Sequence, residues 1–408
     1  MPKQYIGFAE ALRKTLASIR PGMPVEKSVS DCEGYVTVGK VFARVDSPSA
    51  DTSLKDGYAL RAEDSKKASG TGAQPLPVTG SAAAGQQDIK VLKPGTAFRI
   101  LTGARLPEGA DTVVAEELVT RSGDYLTSTQ STEKGQNILF GGSDITTGEL
   151  LLDAGRCLTP GRIGLLTAGG RHRVSVYRKP AVALVATGDE VLLPGERPSA
   201  GKLYASNLLT LNGWCRHFGF STSTAVVGDS ADLLRERIHQ LIKKNDFLIT
   251  SGGAWTGDRD LMAMVLDDLG WTKVYHRVRL RPGKAVGFGM LDGKPVFILP
   301  GGPPSNLAAF LLLALPGLHR FCGYSVSGLV QMPAILKKPV SGQREWTQVI
   351  WGTLERSRDT ILFQPHGRPM SRLKSMAEAG ALLLIPEGTA AFSENQTVTV
   401  RILNGFST

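Results

Sequence analysis

Acidic and glycine-rich segments recur between residues 180 and 325, three of them directly after an apolar run that is typical of a β-strand and one, Gly228-Asp229, at the start of a predicted helix. The segments are residues 187–190 (Thr-Gly-Asp-Glu), 228–229 (Gly-Asp), 250–260 (Thr-Ser-Gly-Gly, ending Gly-Asp-Arg-Asp) and 299–303 (Leu-Pro-Gly-Gly-Pro). Glycines after a strand let backbone N–H groups approach an anion, and carboxylates are ligands that Mg²⁺ prefers. Each segment alone would be an ordinary turn or helix N-cap. Four of them at one edge of a sheet favour a site for a metal ion and an anion.

Cations lie close to these segments in the sequence. The stretch from Trp271 to Lys284 contains no acidic residue and carries Lys273, Arg277, Arg279, Arg281 and Lys284. The turn Arg281-Pro282-Gly283-Lys284 could present two cations to a phosphate or an oxyanion. A solvated surface strand is an equally good interpretation of the same residues.

The order of the predicted elements explains how these segments could meet. Apolar strands are predicted at residues 181–186, 247–250 and 296–299, and helical spacing occurs at 233–242, 261–269 and 306–321. Strands that alternate with helices predict a parallel, doubly wound α/β sheet, in which ligands bind beyond the carboxyl ends of the strands. Three of the acidic and glycine-rich segments follow those ends, and Gly228-Asp229 is expected at the same edge.

The rest of the chain has a different pattern. Residues 8–19 space their apolar side chains as a surface helix does. Short β-like pieces separated by turns predict a β-rich unit at residues 46–144 and a separate small barrel or sandwich at residues 326–408. The predicted fold class is therefore multidomain, α/β plus β.

Two motifs in the β-rich unit extend the pattern. Residues 53–59 place Asp56 beside Gly57 and Tyr58, and residues 99–114 read RILTGARLPEGADTVV. In chain order DGYA, this string, TGDE, Ser206-Asn207, SGG with GDRD, PGK and LPG resemble the molybdopterin molybdenumtransferase family. That family includes the E domain of gephyrin. The resemblance extends over roughly residues 5 to 405.

The resemblance implies four domains and a homodimer. Residues 1–45 and 145–179 would form an elongated dimerisation domain, 46–144 an inserted β-rich domain, 180–325 a molybdopterin-binding α/β domain and 326–408 a β-barrel. In this family the cleft lies between the α/β domain of one subunit and the inserted domain of the other. The implied reaction is Mg²⁺-dependent insertion of molybdate into adenylylated molybdopterin with release of AMP. The adenylyltransferase and acceptor molybdoenzymes are further implied partners.

The same resemblance assigns roles to residues of this sequence. Catalytic roles fall to Asp56, Asp189, Glu190, Asp260 and Lys284. Substrate binding falls to Thr102, Ser251, Gly252, Gly253, Trp255, Arg281, Pro300, Gly301 and Ser305. The expected ligands of Mg²⁺ are Glu190, Asp229, Asp258 and Asp260. Asp144 is a further candidate for the cleft.

Several positions depart from the family pattern. Ala254, Trp255 and Thr256 replace the usual Val-Ser-Val, Gly302 replaces an asparagine, Arg281 a lysine and Leu139 an arginine. A tryptophan at the mouth of the loop could stack on a pterin or narrow the pocket. Loss of the asparagine side chain would weaken ligand orientation by about 1 kcal/mol. The acids are retained, so we expect a divergent member whose chemistry persists.

The composition argues against several other classes. Lys+Arg 47 against Asp+Glu 37 gives a net charge of +10, but aromatic residues make up only 7% and no basic run contains interleaved aromatics. This disfavours nucleic-acid binding. Four scattered cysteines suit a cytoplasmic protein without structural zinc, and no apolar run is long enough to cross a membrane. Two alternatives stay open: a non-catalytic pterin-binding carrier or scaffold, and a tungstate-preferring paralogue.

Overall fold

The computed structural model describes residues 5–86, 88–252, 261–326, 328–357, 359–367 and 372–403. A six-stranded sheet forms the centre of the segment 180–325. In spatial order its strands are Ser221–Val227, Ala181–Thr187, Phe247–Ser251, Lys294–Leu299, Gly287–Leu291 and Thr272–His276. The first four pair in parallel, and the last two join through antiparallel ladders. The prediction of a parallel sheet is confirmed for the first four strands and wrong for the last two.

The antiparallel strand Gly287–Leu291 escaped prediction because glycines interrupt its apolar pattern. Gly287 and Gly289 both lie in the strand Gly287–Leu291. A Cβ atom at position 289 would overlap the indole of Trp271, so close packing requires glycine there. A glycine in such a strand therefore marks tight contact, although in the sequence it resembles a turn.

Helices cover both faces of this sheet, as the doubly wound prediction requires. They are Ser206–His217, Ala231–Lys244, Leu261–Asp268, and Pro303–Ala309 continuing through the π-helical turn Phe310–Ala314 into Leu315–Phe321. The predicted N-terminal helix is also present, as Phe8–Ser18, and it packs on the same core. Because side chains alternate along a strand, Leu184 faces one layer of helices while Val185 faces the other. Among the described residues, no helix is both long and apolar enough to cross a bilayer.

The helix Ala231–Lys244 illustrates how the sequence specifies one of these layers. Its buried residues Leu234, Ile238 and Leu241 recur every three or four positions and cover the sheet. Asp232 lies in its first turn, where a negative charge offsets the positive end of the helix dipole. The apolar spacing and the placement of the charge both favour this helix.

The β-rich unit contains a second six-stranded sheet. Its strands, in spatial order, are Thr112–Ala115, Gly57–Leu60, Ala97–Ile100, Leu76–Ala82, Tyr125–Ser128 and Val119–Ser122. The structure adds a short helix, Ala62–Lys67, that the sequence did not predict. This sheet fixes the positions of the two motifs at residues 53–59 and 99–114.

Segments from both sides of the β-rich unit pack together in a separate small core. The strands Pro24–Ser28 and Arg173–Tyr177 pair, as do Val41–Phe42 and Leu150–Leu152. The helix Pro160–Ala168 covers them and buries Leu166. The β-rich unit therefore enters and leaves through this core, while the exact domain limits stay predictions.

The C-terminal part is a closed barrel, which resolves the choice between barrel and sandwich. Its five strands are Gln331–Leu336, Thr347–Ser357, Thr360–Pro365, Ala381–Ile385 and Thr397–Ile402. The ring closes because Thr347–Ser357 pairs with both Thr360–Pro365 and Ala381–Ile385. The helix Arg372–Ala377 lies in the chain between the barrel strands Thr360–Pro365 and Ala381–Ile385. The short strand Leu280–Arg281 pairs in parallel with the start of the barrel strand Thr347–Ser357.

Candidate active site

A crevice is expected where the order of the parallel strands reverses. From Ala181–Thr187 the chain continues to Ser221–Val227 on one side, whereas Phe247–Ser251 and Lys294–Leu299 follow on the other side. In doubly wound sheets this switch point lies beside the carboxyl ends of the two central strands and is the usual ligand site. Thr187 and Ser251 end those two strands. The predicted segments 187–190 and 250–252 therefore lie at the switch point.

The backbone at the switch point is formed by glycines, and neighbouring backbone atoms lie close to it. Gly252 has a φ of +98°, and a Cβ atom there would lie 2.7 Å from the carbonyl oxygen of Thr187. A Cβ atom on Gly301 would lie 3.8 Å from the Cα of Gly252. Only glycine accommodates both the conformation and the approach at position 252. The glycine loops after two strands therefore meet above the sheet, with little side-chain bulk between them.

Two threonine hydroxyls beneath these loops lack partners within the described part of the chain. Thr187 and Thr250 are buried, and their Oγ1 atoms accept and donate no hydrogen bond there. Buried polar atoms in folded proteins are normally satisfied. These two hydroxyls are exceptions to that rule, and the sequence did not single out either residue.

Two asparagines hold the loop that follows Leu299. Nδ2 of Asn207 donates to the carbonyl oxygen of Gly301 at 2.7 Å. Nδ2 of the buried Asn306 donates to the carbonyl oxygen of Pro300 at 2.9 Å and to Oγ of Ser251 at 3.0 Å. These amides connect the predicted substrate-binding residues Ser251, Pro300 and Gly301.

Acidic side chains gather at one side of the crevice. Oδ1 of Asp189 accepts a hydrogen bond from the backbone N–H of Asp229 at 3.0 Å, and the carboxylate of Glu190 folds back over Gly188. Burial, and then the negative charge of Asp189, raise the pKa of Asp229, and Glu190 adds to the effect. Hard carboxylate oxygens that repel one another suit a divalent cation such as Mg²⁺. Within the described ranges, however, no group of three metal-binding side chains is assembled.

Several predicted residues lie outside the described residues. They are Gly253, Ala254, Trp255, Thr256, Asp258 and Asp260. Two of the four expected Mg²⁺ ligands and the tryptophan at the loop mouth are among them. Their assignments stay predictions from the sequence.

The basic stretch divides into residues with different surroundings. Gly283 has a φ of +127°, and a Cβ atom there would lie 3.6 Å from the carbonyl oxygen of Ser305. The Pro-Gly turn that carries the exposed Lys284 therefore lies against the start of the helix that follows Gly302. Arg281 instead covers the ring of Trp346 at 4.2 Å.

Arg279 is engaged by structural partners. Its Nε lies 2.8 Å from Oε2 of Glu387 in the barrel, and its Nη1 donates to the carbonyl oxygen of Tyr5 at 2.9 Å. This residue ties the N-terminal segment to the barrel. The idea that the whole basic stretch faces an anion is therefore wrong for Arg279.

The second group of predicted residues lies on the sheet of the β-rich unit. Oδ1 of Asp56 accepts hydrogen bonds from the backbone N–H of Thr102 at 2.7 Å and from its hydroxyl at 2.8 Å. These two bonds lower the pKa of Asp56, which is fully exposed. Gly57 follows at a point where any Cβ atom would overlap the carbonyl oxygen of Val114. The Asp-Gly motif thus combines a fixed carboxylate with a close strand contact.

Two other positions of this unit have mainly structural surroundings. Leu139 pairs with Thr52 in a short antiparallel ladder. The backbone N–H of Asp144 donates to the carbonyl oxygen of Ser47 at 3.0 Å, and the side chain of Asp144 is exposed.

Comparison with known proteins agrees with this arrangement over most of the chain. The model described as the MoeA N-terminal region (domain I and II) matches residues 6–170, and that described as a probable molybdopterin binding domain matches residues 183–320. Molybdopterin molybdenumtransferase 2 of Mycobacterium tuberculosis is 30% identical over 385 residues, 93% of this chain and 95% of that protein. Molybdopterin molybdenumtransferase of Bacillus subtilis is 30% identical over 362 residues, 87% and 84% of the two chains.

The fold is similar to that of a solved structure as well. The molybdopterin biosynthesis MoeA protein of Pyrococcus horikoshii is 31% identical, with a TM-score of 0.84 over 99% of this chain and 100% of that one. The likeness extends over the α/β sheet, the β-rich unit and the barrel.

Proposed function

Because the chain belongs to the molybdopterin molybdenumtransferase family, we propose that it inserts molybdate into adenylylated molybdopterin with Mg²⁺ and releases AMP. The family makes it an enzyme of molybdenum cofactor biosynthesis. The observation that carries the finer proposal is the close approach of the glycine loops at the switch point. Gly252 packs against Thr187 and beside Gly301, Asp189 and Glu190 follow Thr187 in the chain, and Asp229 donates its N–H to Asp189. Backbone donors beside carboxylates suit a phosphate together with a divalent cation.

Each group in the crevice has a proposed task. The Ser251 hydroxyl and the N–H groups of Gly301 and Gly302 bind the pterin phosphate, and Lys284 contributes a positive charge from the adjoining turn. The N–H of Gly252 already donates to the carbonyl oxygen of Leu299 at 3.2 Å, so Gly252 serves by leaving space. Asp189, Glu190 and Asp229 hold Mg²⁺ together with Asp258 and Asp260. When bound, Mg²⁺ offsets the negative charge of the phosphoanhydride. AMP leaves when an oxygen nucleophile, molybdate or water, attacks phosphorus and the phosphoanhydride P–O bond breaks.

Asp56 is proposed to orient the nucleophile across a subunit boundary. Asp56 is a carboxylate at neutral pH, as any exposed aspartate is, and the bonds from Thr102 lower its pKa further and fix its orientation, so it accepts hydrogen bonds from a bound water or from a protonated oxyanion. Asp56 is exposed and lies on a different sheet from the crevice. We therefore propose a homodimer in which Asp56 of the partner subunit faces the crevice.

Mixed dimers test this arrangement. Asp56→Asn and Asp260→Asn are expected to inactivate their homodimers, because each removes a carboxylate from every cleft. A cleft built from two subunits predicts that a mixed dimer regains one intact site, and so about half of the wild-type activity per dimer. Mixed dimers as inactive as both parents would contradict the shared cleft, provided that subunit exchange is verified by differently tagged chains.

The alternative of a non-catalytic carrier makes a different prediction for the same protein. A carrier would bind adenylylated molybdopterin without releasing AMP, whatever oxyanion is supplied. Parallel reactions with molybdate and tungstate separate the third possibility, a preference for tungstate. No contact among the described residues favours one oxyanion over the other.

A further inference from the structure

Asn306 is the buried polar residue that connects two parts of the crevice. It lies in the helix Pro303–Ala309, and only 1% of its surface is exposed. Its Nδ2 atom donates to Oγ of Ser251 and to the carbonyl oxygen of Pro300. A backbone carbonyl can only accept, so the atom facing Pro300 must be the amide nitrogen. The orientation of the amide is thereby fixed.

This orientation determines what Ser251 can do. Because Asn306 donates to Oγ of Ser251, one lone pair of that oxygen is occupied and its proton is left to donate elsewhere. Ser251 ends a central strand of the sheet and is itself buried, with 5% of its surface exposed. A hydroxyl held in this way is a donor for an anion in the crevice.

The same amide fixes the neighbouring loop. Asn306 holds the carbonyl of Pro300 from below, while Asn207 holds that of Gly301 at 2.7 Å. With both carbonyls engaged, the loop keeps its glycine backbone next to Gly252. Asn306 therefore acts on the loop and on Ser251 at once.

We propose that Asn306 is a positioning residue for the anion site, orienting Ser251 as a donor and holding the Pro300 loop. The proposal rests on the proposed function, because the anion is the phosphate of adenylylated molybdopterin.

The proposal also explains how the chain tolerates glycine at position 302, where the family resemblance leads us to expect an asparagine. The backbone does not require glycine there, since φ is −71° and a Cβ atom would meet nothing closer than Oγ of Ser305 at 4.0 Å.

The test compares Asn306→Ala with Asn245→Ala in the full-length protein. Asn245 is also a buried asparagine, but it caps the end of the helix Ala231–Lys244 at the amino end of the sheet, where its Nδ2 donates to the carbonyl oxygen of Leu241 at 2.9 Å. Loss of two hydrogen bonds at the anion site predicts that Asn306→Ala raises the Kd and KM for adenylylated molybdopterin about tenfold, with kcat changed less than about threefold. Asn245→Ala should lower the Tm and leave Kd and KM unchanged.

Two further measurements separate positioning from general loss of stability. If Asn306 acts through Ser251, Asn306→Ala raises Kd by a smaller factor in a Ser251→Ala background than alone. Adding Gly302→Asn to Asn306→Ala should recover part of the binding, because an amide returns to the loop. Equal effects in both backgrounds, or a Kd for Asn306→Ala equal to that of the wild type, would overturn the proposal.

Hydrogen exchange keeps the test independent of turnover. Asn306→Ala should speed exchange in peptides covering residues 299–305, while peptides of the helix Ala231–Lys244 exchange as in the wild type. Unchanged exchange at 299–305 also counts against the proposal. If the wild-type protein binds the pterin compound but releases no AMP, the proposed reaction fails while the Kd comparison still tests Asn306.

Discussion

Asp56 accepts two hydrogen bonds from a single residue, Thr102, one from its backbone N–H at 2.7 Å and one from its hydroxyl at 2.8 Å. The two residues are 46 positions apart and lie in the two motifs of the β-rich unit that the sequence made conspicuous. Their pairing fixes an exposed carboxylate in one orientation and lowers its pKa. Asp46 is held in the same way by Thr147, so the case for a role of Asp56 rests on its motif as well as on this geometry.

Replacing Asp56 should separate activity from stability. Asp56→Asn is expected to lower the rate of AMP release at least about 100-fold, because the amide cannot act as the carboxylate that orients the nucleophile. The Tm should change by less than about 2 °C, since the side chain is exposed. The matched control is Asp124→Asn, which neutralises another exposed acid of the same unit, 3.7 Å from Arg121. Activity of Asp56→Asn equal to that of the control would contradict the assigned role.

Replacing Asp229 should have opposite effects on the metal-free and metal-bound protein. Burial and the charges of Asp189 and Glu190 raise the pKa of Asp229, so its carboxylate is under repulsion without a cation. Asp229→Asn is expected to raise the Tm of metal-free protein by about 1–2 °C and to reduce the gain in Tm on adding Mg²⁺.

Asp232→Asn provides the control for Asp229. It lies in the first turn of the next helix and pairs with Arg235 at 2.7 Å, away from the other acids. It should leave the response to Mg²⁺ unchanged. If Asp229→Asn responds to Mg²⁺ as fully as wild type does, Asp229 is not a ligand.

The pH dependence of stability should be affected by His319. Burial lowers the pKa of His319 to about 4, and its Nδ1 accepts a hydrogen bond from the N–H of Gly328 at 3.1 Å. An unfolded chain would protonate this histidine near pH 6.5, whereas the folded chain does not until about pH 4. The unfolded state therefore binds more protons in this window, and stability is lost as the pH falls from about 6.5 to about 4.

His319→Asn tests that linkage, because asparagine retains an acceptor for Gly328 but does not titrate. Between pH 7.5 and pH 5 the free energy of unfolding of wild type should fall by about 2 kcal/mol more than that of the variant. Urea unfolding at the two pH values measures the difference. Parallel losses in the two proteins would show that His319 titrates normally.

Gly57 should be intolerant of any side chain. A Cβ atom at this position would overlap the carbonyl oxygen of Val114, which belongs to the neighbouring strand. Gly57→Ala is expected to reduce the free energy of unfolding by roughly 3 kcal/mol or more, because the strands must separate. Gly39→Ala is the control, since a Cβ atom there has no neighbour within 4 Å. Equal stability of the two variants in urea unfolding would contradict this explanation of the Asp-Gly motif.

The sequence predicts elements and segments well where local pattern determines them. The strands ending at Thr187 and Ser251 were predicted within one residue of their observed ends, and the rule for doubly wound sheets then located the crevice. The antiparallel strand Gly287–Leu291 was missed because tight contact with Trp271 requires a glycine that resembles a turn residue.

Long-range contacts could not be predicted from local pattern. Asn306 lies among apolar residues of a helix, and its partner Ser251 is 55 positions away. Arg279 pairs with Glu387 across 108 positions, so a cation that suggested an anion site in the sequence proved to be structural. In both cases the sequence shows the residue type, and only the fold shows its partner.

Release of AMP tests the central proposal most directly. Purified wild-type protein is incubated with adenylylated molybdopterin and Mg²⁺, with molybdate, with tungstate or without an oxyanion, and AMP is quantified alongside bound pterin. The proposed function predicts AMP release that requires Mg²⁺ and accompanies formation of molybdenum cofactor, and that is lost in Asp56→Asn. Tight binding of the pterin compound by the wild type without AMP release under any of these conditions would contradict it and support the carrier.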